Sequence, residues 1–148
     1  MPKSTSPPIL GTQNSALRTV SLPPIGEDWP GEGGVFAGIL KGEDGDYALI
    51  VPLDPASDVD AAPWKEALAA AGKFKTAQHQ DYSPATRGEL ALCFRNVPGL
   101  FKKDWYWSST PSAGNASYAW CQSFGHGYQD YGLKDNQLRA RAVRRLKI

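Results

Sequence analysis

The sequence predicts one α+β domain, with two helices packed against short antiparallel strands, preceded by an extended N-terminal arm. Three observations carry that expectation. A Pro-rich opening gives way to two short, apolar, β-prone runs. Two segments with helical apolar spacing follow. From Asp104 onward the chain becomes a series of aromatic-rich stretches separated by Gly, Ser, Asn and Asp, as strand connections require. The order β-β-α-α-β-β-β suits helices lying on a curved antiparallel sheet whose first and last strands bring the ends of the domain together.

The arm covers residues 1–33. It contains Pro2, Pro7, Pro8, Pro23, Pro24 and Pro30, and each proline fixes φ and removes a backbone donor, so helix and central strand are disfavoured. Its apolar residues, Ile9, Leu10, Leu17, Val20, Leu22, Ile25 and Trp29, are too many for a solvated linker. An arm that docks on a neighbouring subunit or partner explains both features, and so does one that wraps its own domain. Residues 34–148 then hold a single core, since roughly 115 residues make one ordinary domain.

Within that domain, residues 35–40 and 47–52 read as a β-hairpin turning through Gly42-Glu43-Asp44-Gly45. For the first helix, Asp60 or a near neighbour is the expected cap and Pro63 belongs to the first turn. Trp64, Ala67, Leu68 and Ala71 share one face, and Gly72 suits the C′ position. A second helix starts at Thr86, where Thr86-Arg87-Gly88-Glu89 has the pattern of a capping box; Leu90, Cys93 and Phe94 follow on one side, and the end falls near residues 96–99. Strands are expected at 105–110, 118–124 and 138–146. Alternation places Trp105 and Trp107 on one face, where a core would want them.

Charge and cysteine usage exclude several classes of function. Sixteen basic and fifteen acidic residues leave a net charge of +1, so no global field draws the chain to nucleic acid or anionic lipid. No apolar run reaches the length of about 20 residues that crosses a bilayer, and the beginning lacks the apolar centre of a secretory signal. A protein made in the cytoplasm, without membrane insertion, is expected. Cys93 and Cys121 lie too far apart for a CxxC metal pair and read as two buried free thiols. His79 and His126 show no spacing to each other or to the cysteines that a zinc or catalytic cluster would have. No metal or cofactor is expected. The basic run Arg139, Arg141, Arg144, Arg145 and Lys147 could grip phosphate, but the balanced total favours a solvated strand face paired with acids.

Four motifs in order then carry a resemblance: Thr86-Arg87-x-Glu89-Leu90; Trp105-Tyr106-Trp107-Ser108-Ser109-Thr110; Ala119-Trp120 with Phe124-Gly125-x-Gly127; and Arg139-Ala140-Arg141-Ala142-Val143-Arg144. Over residues 34–146 the chain resembles a bacterial and phage family of C-type-lectin-like domains. That family includes the C-terminal domain of collagen-like adhesins, with the variable proteins of diversity-generating retroelements as more distant relatives. The resemblance implies a C-type-lectin-like fold used for binding rather than for a defined reaction, although fold alone never fixes function. It also implies that Ser108, Ser109 and Thr110 form a structural turn rather than nucleophiles, in keeping with the absence of a Gly-x-Ser-x-Gly elbow. Two departures stand out. Ala142 occupies a final-strand position where many relatives have Cys. The Glu-Pro-Asn, Gln-Pro-Asp and Trp-Asn-Asp triplets of calcium-dependent sugar-binding lectins are absent, so no calcium-mediated sugar site is expected.

The segment Gly125-His126-Gly127-Tyr128-Gln129-Asp130-Tyr131 mixes aromatic, amide and acid side chains in the manner of a paratope, and a solvated hairpin is the alternative reading. By analogy with the diversified proteins, the candidate contact residues are Asn115, Tyr118, Gln122, His126, Tyr128, Asp130, Tyr131 and Asn136. Trp120 and Phe124 fit neither ligand contact nor solvent exposure. The expected function is non-catalytic recognition in a phage or prophage particle. The arm would join other virion proteins, the module would form a homo-oligomer, and its loops would face a host surface protein or glycan. A small intracellular phage protein that inhibits a host protein is the alternative. A third reading, a formylglycine-generating type of oxidase, needs a closely spaced cysteine pair that Cys93 and Cys121 do not supply.

Overall fold

The last strand, Leu138–Lys147, organises the molecule and interleaves apolar and basic residues. The computed structural model describes residues 21–148. Among these the order is β1 (Asp28–Trp29), β2 (Gly34–Gly42), β3 (Gly45–Val51), β4 (Asp58–Ala62), α1 (Trp64–Gly72), β5 (Ser83–Pro84), α2 (Arg87–Asn96), β6 (Trp105–Pro111), β7 (Tyr118–Ser123), β8 (Gln129–Leu133) and β9 (Leu138–Lys147). The chain is mixed α and β and mostly sheet. The main path runs β1-β2-β3-β9-β6-β7-β8, and β4 and β5 also pair with β9.

Two apolar clusters lie on opposite faces of the central strands. Tyr106 belongs to the cluster that also holds Val35, Leu49, Leu90, Cys93, Phe101, Phe124 and Val143. Its neighbour Trp107 belongs to the other, with Ala67, Ala71, Phe74, Tyr82, Ala119, Cys121, Ala140 and Ala142. Successive strand residues point to opposite faces, so β6 and β9 are buried on both sides. Helix α2 covers the first face and α1 the second. Trp105 packs at the margin of the cluster that buries Trp107, as the alternation predicts. Both cysteines are free and buried.

The predicted hairpin is present, with Leu40 opposite Tyr47 and Gly42 opposite Gly45. So is the capping box: the Thr86 hydroxyl accepts from Glu89 N at 3.2 Å, and Glu89 Oε1 accepts from Thr86 N at 2.8 Å. Other expectations are corrected. Asp60 does not cap α1; it lies exposed in β4, and Pro63 occupies the N-cap with no side-chain bond. Gly72 is the last helical residue rather than C′, and Lys73 is the C-cap. The first hairpin strand does not meet the last; β3 does, through Tyr47 to Lys147 and Ile50 to Arg144. The sheet is not wholly antiparallel, because Tyr106 and Arg139 form a parallel bridge. The strands β1, β4, β5 and β8 went unpredicted because each is short or interrupted by turn-type residues.

The arm boundary also moves. Asp28 and Trp29 pair with Val35 and Gly34, Phe36 N donates to Glu27 O at 3.0 Å, and Glu32 pairs with Arg144 at 2.9 Å. The sheet therefore begins inside the segment assigned to the arm. Ile9, Leu10, Leu17 and Val20, on which the docking reading partly rests, lie outside the described residues.

Candidate binding surface on the closing hairpin

The hairpin β7–β8 places Tyr118 opposite Leu133, Trp120 opposite Tyr131 and Gln122 opposite Gln129. These six side chains share one face. On the other face Ala119 and Gly132 lie against Trp107. The outer face carries a continuous stack. The Arg87 guanidinium, from the first turn of α2, sits 3.3 Å from the centroid of the Trp120 ring. Tyr131 lies 4.1 Å from Trp120 at an interplanar angle of 39°, and Tyr118 meets Tyr131 edge-on at 6.5 Å. Two groups so close to one indole must take opposite faces, so Trp120 is the filling of the stack. Tyr131 and Leu133, 50% and 46% exposed, present its outer surface.

A polar clamp fixes this stack from beneath. Arg87 Nε donates to Gln129 Oε1 at 3.0 Å, and Gln129 Nε2 donates both to Arg87 O at 2.7 Å and to Gln122 Oε1 at 2.9 Å. Gln122 Nε2 donates to Ser123 O at 3.1 Å, closing the turn into β8. Gln122 is thus buried, and the expectation that it touches ligand is corrected: its amide is consumed in holding the hairpin. Burial of an amide is tolerated because its bonds are made.

The remaining candidates separate. His126 and Tyr128 are exposed; their rings are 6.2 Å apart, and Tyr128 meets Trp105 at 5.5 Å edge-on, so this second cluster lies away from the Trp120 stack. Asp130 is exposed at the sheet edge, where its Oδ1 accepts from Tyr131 N at 2.7 Å. Asn115 Oδ1 accepts from Ser117 N at 2.9 Å, forming the turn between β6 and β7. Asn136, also exposed, belongs to the turn before β9 through its N–H to Leu133 O at 2.8 Å. Tyr128 closes a turn, as expected, whereas Tyr131 belongs to a strand. Arg87 and Leu133 were missed. Arg87 figures in the capping box and in the first of the four motifs, but its partner Gln129 lies 42 residues away, a separation that no local pattern reveals.

The closing arginines do not form a solvated face. Arg139 pairs with Asp58 at 2.8 Å, Arg144 with Glu32 and Asp81, and Arg145 with Glu89 at 2.7 Å. Arg141 is buried; it donates to Ser57 Oγ, Leu100 O and Pro52 O and lies over the Phe101 ring. The acids were expected but the burial was not; a strand bonded to β3, β4, β5 and β6 has no open face to offer. Burial alone would raise the Glu89 carboxyl, but Arg145, the Thr86 N–H and the Tyr47 hydroxyl outweigh it and hold it below the ordinary carboxylate range.

Candidate nucleophiles are tied up in the same way. Ser108 is buried and donates to Trp120 O at 2.7 Å. Burial pushes the Cys93 thiol up to about 12 and the Cys121 thiol to about 11, the opposite of the shift that activates a cysteine. Among the described residues, two of the clefts elsewhere hold His79 and the closing Arg139 and Arg141. One, of about 370 Å³, is lined by Trp29, Leu53, Thr76 and His79. The other, of about 470 Å³, is lined by Asp58, Lys102, Arg139 and Arg141, where Asp58 already accepts from Arg139 and Tyr106. No protein-family model matches this chain, and no curated protein is significantly similar to it.

Proposed function

We propose that this chain is a non-catalytic binding module of C-type-lectin-like architecture, a recognition component of a phage or prophage particle whose ligand surface is the outer face of β7–β8. The observation that carries the reading is the exposed edge of the stack: Tyr131 and Leu133 face solvent, and Tyr131 rests on Trp120, which Arg87 covers from its other side and Gln129 and Gln122 fix through Arg87. Pre-ordered aromatic surface binds at low conformational cost. The motif order along the chain supports the lectin-like assignment and the phage setting, and the N-terminal arm is the proposed link to other particle proteins. Repetition of the module in a symmetric assembly would strengthen weak single contacts.

Beads carrying many copies of the domain are expected to adsorb to the envelope of the host bacterium. Tyr131→Ala should lower that adsorption about ten-fold, as for an exposed aromatic anchor, with thermal stability close to that of the parent. Unchanged adsorption would remove the β7–β8 face from the reading. A large fall in melting temperature would assign Tyr131 to the core.

A further inference from the structure

Arg87 differs from the other half-buried or buried arginines. Arg139, Arg141, Arg144 and Arg145 each have a carboxylate within 4 Å, whereas Arg87 has none among the described residues. Its Nε is bonded to a neutral amide, Gln129 Oε1, and its two terminal nitrogens make no hydrogen bond there. The guanidinium is also clamped in orientation by the Trp120 ring 3.3 Å beneath it. A cation held flat, at the positive end of α2 and with a free pair of donors, matches a carboxylate presented by something else. The nearest acid on the hairpin, Asp130, is turned to the Tyr131 N–H at the sheet edge.

We infer that the partner of this surface is a protein segment that presents a carboxylate to Arg87 beside apolar side chains resting on Tyr131 and Leu133. This rests on the binding surface proposed above and names what it takes. A peptide fits better than a sugar because of how the polar groups are spent. Each sugar hydroxyl that leaves water needs a partner, but the amides of Gln122 and Gln129 are bonded within the protein. Apart from the Tyr118 and Tyr131 hydroxyls, the surface offers aromatic and aliphatic area with one charge, which is the complement of an acidic, apolar peptide.

The test titrates the full chain with synthetic peptides carrying one Glu among Leu, Phe and Tyr, with the same peptides carrying Gln, and with uronic-acid oligosaccharides, followed by NMR shifts of the Trp120 indole. The Glu peptides are expected to bind about ten-fold more tightly than the Gln peptides, a difference sensitive to salt. Arg87→Gln should abolish the difference, Arg87→Lys should restore part of it, and Tyr131→Ala should weaken both peptide sets alike. Equal binding of Glu and Gln peptides, or a preference that survives Arg87→Gln, overturns the carboxylate inference while leaving the surface intact. Preferential binding of the oligosaccharides, or no peptide binding at all, overturns the protein partner. Peptide binding that Tyr131→Ala leaves untouched overturns the surface itself.

Discussion

Gln122 shows what a single side chain does here. It is buried on the outer face of β7, yet its amide bonds Ser123 O and Gln129 and so connects the β7–β8 turn to the group that orients Arg87. Leu has similar volume but none of these bonds. Gln122→Leu is therefore expected to lower stability by about 1–3 kcal/mol, the cost of leaving buried polar partners unsatisfied, as read from urea unfolding. It should also broaden the Arg87 and Trp120 side-chain signals. An unaltered midpoint with sharp signals would mean that packing alone holds the stack.

At the scale of the element, β8 sits in register because of a missing side chain. A Cβ on Gly132 would lie 3.0 Å from the Trp107 ring and 3.3 Å from Cys121 Sγ, and Trp107 is fully buried and cannot yield. Close approach of β8 to β6 across β7 thus requires glycine at this position. Gly132→Ala is expected to cost about 1–3 kcal/mol through overpacking, with Tyr131 displaced from Trp120. A crystal structure of the variant showing the hairpin unmoved and stability unchanged would contradict this. At the sheet's other edge, Asp28–Trp29 and the Glu32–Arg144 pair mean that the domain extends upstream of residue 34. Removing residues 1–33 would cut into the sheet as well as the arm.

Across the whole molecule, ion pairs buried against β9 join elements distant in sequence, and Glu89 is the centre of one of them. It is fully buried, accepts from Arg145 at 2.7 Å and from the Tyr47 hydroxyl at 2.7 Å, and so ties α2 to β9 and β3. Its folded carboxyl titrates below its unfolded value. The contribution is therefore complete above the unfolded carboxylate range and is lost as pH falls through the folded one. Stability should be flat near neutrality and drop steeply below about pH 4. Glu89→Gln should cost about 3 kcal/mol at pH 7, because it leaves Arg145 unpaired, and should flatten the acid limb. An acid limb as steep in the variant would place its origin in other carboxylates.

The sequence by itself determined what depends on neighbours along the chain: the Thr86 capping box, the hairpin across Gly42 and Gly45, the shared face of Trp105 and Trp107 in β6, and the α+β class. Those are settled by local hydrogen bonds and by side-chain period, which read directly from residue order. Tyr118 and Tyr131 were reached differently, through the analogy with the diversified proteins rather than through a local pattern. Only the tertiary structure decided that Gln122 is buried, that Arg87 joins Trp120, that Asp60 lies in a strand, and that the closing arginines are buried in pairs. Each of those outcomes depends on which distant strand lies alongside. Burial against a partner tens of residues away leaves no periodicity in the chain that could announce it.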